Sequence, residues 1–247
     1  MEAKKTSKLI FIIVVVCTLI TVTTISIMFK RFALEVEKIK ESQIQQNKEA
    51  KLTNQFLLST IDWSTRRQKM ILFMRDQIID KRNSINLPVS VEKAYLIAER
   101  NLYECEKYPS IDPIFLLAIQ NIESAFNDSA ISPEGAAGIN QIMPSTARLL
   151  CFGMGLTYRD KMLFDVNTND KLATRLLDIL FATYSDAELV LADYNGGPYS
   201  AYYYQKEKSK LSNETAKYVP AVMSMWKNYR TNFENYRIDS VYEYNRK

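Results

Sequence analysis

Residues 1–87 contain neither glycine nor proline: the first proline is Pro88, and all six glycines fall between Gly135 and Gly197. Nothing in that long opening stretch interrupts a helix, whereas the remainder of the chain is repeatedly told to turn. The charge divides at the same place. Residues 29–87 carry 12 basic and 7 acidic side chains, and residues 88–247 carry 17 and 20.

Leu9 to Met28 is an uncharged run bracketed by Lys8 and Lys30. At about 1.5 Å per residue it matches roughly the 30 Å of a bilayer core. A retained transmembrane helix is the expectation. A cleaved signal peptide would have a shorter apolar stretch and small residues at its cleavage site. Lipoprotein processing at Cys17 would need a small residue where Val14-Val15-Val16 stands. Lysines and arginines flank both ends of the run, so charge alone chooses no orientation. The organisation expected is a tail (1–8), a span (9–28), a helical stalk or linker (29–87), a domain (88–230) and a polar tail (231–247). Within the stalk, Met70, Phe73, Met74, Ile78 and Ile79 recur at helical spacing. They suit a stalk, a self-association surface or a helix that binds an envelope partner.

Beyond Pro88 the signals are those of a small, mainly α domain. Ser90 caps a helix through Leu102, and Asp112-Pro113 opens another through Ala125. Pro144 begins a third. Further helices are expected over Asp170–Phe181, Asp186–Tyr194 and Glu214–Tyr229. No segment alternates as a strand would.

The chain has no histidine, which removes Ser-His-Asp and Cys-His nucleophiles and histidine-liganded metals. Cys17, Cys105 and Cys151 are too far apart for a zinc ribbon or a redox pair. A disulfide between Cys105 and Cys151 stays open. There is no phosphate-binding glycine loop, and a net charge of +4 does not argue for nucleic acid. Chemistry must come from carboxylates, hydroxyls, amides and tyrosines, with no cofactor and no metal.

Glu123-Ser124 ends the apolar helix that contains Phe115, Leu116, Ala118, Ile119 and Ile122. Burial there raises a carboxyl pKa and makes a general acid; a surface carboxylate is the alternative. The loop from Ala130 to Ala147 contains Gly135, Gly138, Gln141 and Met143, and Tyr194-Asn195 precedes Gly196-Gly197-Pro198. A carboxylic acid, two amides and tyrosines suit hydroxylated, acetamido-bearing sugars.

Four motifs in order, Glu123-Ser124-x-Phe126, Ala130 to Ala147, Tyr194-Asn195-x-Gly197-Pro198 and Glu214-Thr215-x-x-Tyr218-Val219, resemble the soluble-lytic-transglycosylase (SLT) domain family over residues 88–230. The resemblance implies a goose-lysozyme-like fold acting on peptidoglycan glycan strands. It implies Glu123 as the single catalytic acid/base, and Ser124, Gln141 and Met143 beside it in a sugar subsite. Tyr194 and Asn195 would follow near the carboxyl, and Glu214 and Tyr218 would border the cleft; helix-end and capping roles serve Asn195 and Glu214 equally well. The implied reaction cleaves the β-1,4 bond between N-acetylmuramic acid and N-acetylglucosamine and leaves a 1,6-anhydro end. The implied place is the outer, periplasmic side of a cytoplasmic membrane. Asn140, Asp193 and Tyr199 depart from the family pattern, and Tyr202, Tyr203 and Tyr204 add aromatic surface. The rival functions are a hydrolytic muramidase, for which Asp193 is the extra carboxylate, and a non-catalytic glycan-binding component of an envelope assembly.

Overall fold

A computed structural model describes the backbone of residues 2–237 and the side chains of 18–237 other than 56, 58, 59 and 61. Among the described residues the structure is helical, with no strand and two isolated bridges, Ile131 to Ala137 and Ala137 to Ile142. The helices are α1 (Glu2–Ser84), α2 (Val91–Cys105), α3 (Pro113–Ser124), α4 (Pro144–Gly153), α5 (Val166–Thr183), α6 (Ala187–Gly196), α7 (Pro198–Lys206) and α8 (Asn213–Asn235). Single 3-10 turns lie at Asp160–Phe164 and Lys208–Lys210. The helix α7 was not expected from sequence, because Gly196-Gly197-Pro198 reads as a stop. Proline at its first turn instead begins the next helix, whose fixed φ suits that position.

The chain forms two compact units, one ending at Ser64 and the other beginning at Thr65. This differs from the boundary at residue 88 that the sequence suggested. The physical reason is the apolar stripe near the end of α1. Ile71, Phe73, Met74 and Ile78 are wholly buried in the same core as α3. The Phe73 ring meets Tyr229, Phe233 and Tyr236 edge-on, with centroids 6.2, 5.3 and 5.5 Å away. The Tyr236 hydroxyl donates to Asp76 at 2.6 Å, so the beginning of the expected polar tail is also part of this packing. Residues 238–247 of that tail lie outside the described residues.

The expected span, 9–28, lies partly outside the residues whose side chains are described. Among the described residues no helix is long and apolar enough to cross a membrane. Cys105 and Cys151 are separate buried thiols, and Cys17 lies outside the described side chains.

Inside the second unit α3 is the central element. Its residues from Ile114 to Asn121 are all buried, and it packs on α8 and α2. Asp112 fixes its start: one carboxylate oxygen accepts from the Ile114 amide at 2.9 Å, and the other accepts from the Trp226 indole at 2.8 Å. A cap of this kind stabilises a helix by about 1 kcal/mol. Here it also locks the direction of α3 against α8, which determines where Glu123 emerges.

Candidate active site

Glu123 lies in the last turn of α3, just before an abrupt reversal. Ala125 (φ 50°, ψ 42°) and Phe126 (φ 62°) are both in the left-handed region, which costs about 1 kcal/mol or more for a residue with a Cβ. The buried Phe126 side chain holds the reversal in place. Ser124 completes it: its hydroxyl donates to the Ile139 carbonyl at 2.7 Å and accepts from the Asn127 amide at 3.1 Å. Ser124 therefore ties the helix end to the following loop and does not line the cavity described next.

That loop is itself tightly held. Gly138 (φ 80°) sits against Asn169, where a Cβ would lie 2.0 Å from the Leu163 carbonyl oxygen and 2.4 Å from Asn169 Nδ2. Only glycine permits this approach. Asn169 Nδ2 donates to the carbonyls of Ala137 (3.0 Å) and Leu163 (2.9 Å), and its Oδ1 accepts from the Asn140 amide at 2.9 Å. Gln141 is a third left-handed residue beside the site (φ 48°). Its Nε2 donates to the carbonyls of Gly138 (2.8 Å) and Ala130 (3.2 Å), which leaves Oε1 as its acceptor toward a ligand.

These elements enclose a cavity of about 180 Å³. Of the residues singled out by sequence, Glu123, Gln141, Met143, Tyr194, Asn195 and Glu214 line it. Ser132, Glu134, Ala136, Ile142, Thr146 and Leu176 also line it and had not been singled out individually. All but Leu176 lie in or next to the loop already quoted, so their local signal was present. Leu176 comes from α5, and no local pattern marks it.

Burial pushes the Glu123 carboxyl up to about 7. The Tyr218 hydroxyl opposes that rise, and the nearby Glu214 charge adds to it. Tyr218 is buried behind Glu123 rather than in the cavity wall. Its hydroxyl faces the carboxyl at a geometry looser than an ordinary hydrogen bond and has no other close partner. Burial and the Glu123 charge push the Tyr218 hydroxyl well above the usual tyrosine range, so it stays protonated and can only support the carboxyl as a donor. Tyr194, held similarly high by burial, donates its hydroxyl to the Asn140 carbonyl at 2.9 Å.

At the other wall, Thr215 Oγ1 donates to Asn195 Oδ1 at 2.7 Å, and Asn195 Nδ2 donates to Glu214 Oε1 at 3.4 Å. Asn195 thus clamps the end of α6 to the start of α8. Asp193 turns away from the cavity, where its carboxylate accepts the Tyr184 hydroxyl at 2.7 Å. The sequence had offered it as the extra carboxylate of a hydrolase, yet it is not among the residues that line the cavity. The carboxylates that do line the cavity with Glu123 are Glu134 and Glu214, both on exposed residues. Among the described residues no cluster of three potential metal ligands occurs. What remains is one semi-neutral carboxylic acid facing a polar cavity large enough for part of a sugar.

Comparison with known proteins assigns this region. Residues 101–218 match the family described as the transglycosylase SLT domain. A putative soluble lytic murein transglycosylase of Haemophilus influenzae is 34% identical over 116 residues, covering 46% of this chain and 18% of its own length. The 70 kDa soluble lytic transglycosylase of Escherichia coli aligns over 56% of this chain and 26% of its own, with 25% identity and a TM-score of 0.46. An inactive mutant of the lytic transglycosylase Slt from Pseudomonas aeruginosa aligns over 56% and 24%, with 23% identity and a TM-score of 0.49. The chain spans less than a third of the length of each of these relatives. Residues 101–218, the stretch that matches the transglycosylase SLT domain, include every residue that lines the cavity.

Proposed function

We propose that the protein is a membrane-anchored lytic transglycosylase that cleaves peptidoglycan between N-acetylmuramic acid and N-acetylglucosamine. The observation that carries this reading is Glu123: burial keeps a large fraction of its carboxyl protonated near neutral pH, and it faces the cavity. Protonated, it gives its proton to the glycosidic oxygen as the muramic C1–O bond breaks. The substrate's acetamido oxygen stabilises the developing positive charge at C1. The Glu123 carboxylate then takes the proton of the muramic C6 hydroxyl as that oxygen bonds to C1. The product is a 1,6-anhydro end and no water is consumed. Tyr218 steadies the carboxylate between the two steps, and Gln141 Oε1, Asn195 and Glu214 hold sugar hydroxyl and acetamido groups.

The second reading, a hydrolytic muramidase, is favoured by Glu134 and Glu214 on the cavity wall, either of which would activate a water. Mass spectrometry of digested wall separates the two. Anhydro-muramic ends support the transglycosylase, and reducible ends support the hydrolase. Glu123→Gln should lower turnover by about 10²–10⁴-fold or more, with glycan binding retained. In the wild type, kcat/KM should fall as pH rises through about 7, where Glu123 loses the proton it must donate. An active Gln variant or a flat profile would remove Glu123 from this role.

Anchoring rests on the uncharged run Leu9 to Met28, whose described apolar residues Leu19, Ile20, Val22, Ile25, Ile27 and Met28 are all exposed. Because the wall lies outside the cytoplasmic membrane, residues 1–8 belong inside and the domain on the outer, periplasmic side. A reporter fused after Lys247 that is active only in the cytoplasm would sink this topology. Residues 29–64 are left for self-association or an envelope partner.

A further inference from the structure

Beneath the cavity floor, sealed from solvent, lies a second carboxyl that the reaction above does not use. Asp170 on α5 and Asn140 in the loop are both fully buried. Asn140 Nδ2 donates to Asp170 Oδ1 at 2.7 Å, and Gln120 Nε2 from α3 donates to the same oxygen at 2.9 Å. Asn101 Nδ2 donates in turn to Gln120 Oε1 at 3.2 Å. Two atoms of this group are left without a partner, Asp170 Oδ2 and Asn140 Oδ1. An unsatisfied buried polar atom costs about 1–3 kcal/mol, so two on adjoining side chains call for an explanation. Both are oxygens, on two side chains already joined by the bond from Asn140 Nδ2 to Asp170 Oδ1, and a single proton on Asp170 Oδ2 directed at Asn140 Oδ1 would satisfy both.

We propose that Asp170 is a neutral carboxylic acid closing a two-bond ring with the Asn140 amide, and that it acts as a positioning residue for the active-site loop. Asn140 Nδ2 donates to one carboxyl oxygen while the other, as O–H, donates back to Asn140 Oδ1. The ring holds Asn140, whose own carbonyl receives the Tyr194 hydroxyl and whose next residue is the left-handed Gln141. The groups that face Asp170 are Glu104 and Cys105 from α2, Tyr194 from α6 and Asp165 at the head of α5. None of them is a cation, and Lys107 is paired with Glu104 at 2.7 Å. Burial accordingly raises the Asp170 carboxyl to about 8, against the opposing effect of its two amide donors. The positioning role rests on the proposed chemistry of Glu123, whereas the ring itself does not.

Infrared difference spectra of the full chain at pH 7, recorded in a Glu123→Gln background with and without Asp170→Asn, read the ring without turnover. A protonated carboxylic-acid carbonyl band that vanishes with Asp170→Asn is expected; loss of an ionised carboxylate band instead overturns the proposal. Asp170→Asn alone replaces O–H by N–H, so kcat should stay within about threefold of wild type, whereas Asp170→Ala should lower it at least about tenfold. A neutral Asp170 contributes its stability fully below the unfolded carboxyl pKa and loses it as pH rises through about 8. The Tm of Asp170→Asn should therefore gain on that of wild type from pH 5 to pH 9. A merely structural role would lower the folded fraction without this pH-dependent gain, and a constant Tm difference overturns the proposal. A Glu123→Gln chain that shows the Asp170-dependent band, beside a wild type that digests no wall, removes the Glu123 reading and still supports the ring.

Discussion

Residues 29–55 and 70–79 lie on one unbroken helix, yet every side chain of the first stretch is exposed while the second buries Ile71, Leu72, Phe73, Met74 and Ile78. Neither contains glycine or proline, and both mix basic and apolar residues. The difference lies in what covers the apolar side chains. In the first stretch Phe29, Phe32, Val36 and Ile39 share one face, but all four are exposed and the face runs out into Gln43 and Gln46. In the second, Met70, Phe73, Met74 and Ile78 fall at i, i+3, i+4 and i+8 and form one stripe. Helix formation is therefore common to both, and the presence of a partner surface distinguishes them. The stripe meets the aromatic side chains of α8, and Asn121 on α3 donates a hydrogen bond to the Tyr229 hydroxyl beside it.

Removing each stretch in turn gives the largest expected contrast. A chain beginning at Thr65 should unfold cooperatively, whereas one beginning at Pro88 should not fold. Each fully buried apolar side chain contributes about 1.5–3 kcal/mol, so losing Ile71, Phe73, Met74 and Ile78 removes roughly 6–12 kcal/mol. That is comparable to the whole stability of a domain, about 5–15 kcal/mol. Circular dichroism and urea titration of the two chains check this; a stable fold from Pro88 would return the stripe to a separable stalk. A single truncation within the stripe comes next: Phe73→Ala should cost about 3–5 kcal/mol, read from the urea midpoint. The smallest effect belongs to Trp63, an equally large ring that is 61% exposed. Trp63→Ala should shift the midpoint by no more than about 0.5 kcal/mol. A large loss there would mean that the helix just ahead of Thr65 has a partner of its own.

Much of the second unit was legible because its signals are local. Ser90, Asp112-Pro113 and Pro144 each announce a helix start, and each does start one. Glu123 stood out as a carboxylate ending an apolar helix. Other features depend on residues far apart in the chain. Nothing near Ser124 says that its hydroxyl is engaged by Ile139, and nothing near Tyr218 says that it sits behind the carboxyl rather than in the cavity. Asn140 read as an isolated departure from a family pattern until Asp170, 30 positions later, supplied its partner. The amphipathic stripe was visible, but its destination was not, because periodicity gives a face without naming what covers it.

The distance along the chain between Asp76 and Tyr236, 160 positions, has a consequence for how the protein is made. Synthesis runs from the amino end, so the stripe emerges early and its aromatic cover on α8 emerges last. Until Tyr229, Phe233 and Tyr236 have appeared, the Phe73 ring lacks the aromatic side chains that pack edge-on against it. Closing so long a loop is also slow compared with forming any single helix. The nascent chain therefore carries part of its apolar stripe uncovered until the last helix is made. Glu123 likewise has no Tyr218 behind it until the final helix arrives. A ribosome that stops before Tyr218 releases a chain with neither a closed core nor a complete acid, so premature termination close to the end is as disabling as losing the beginning.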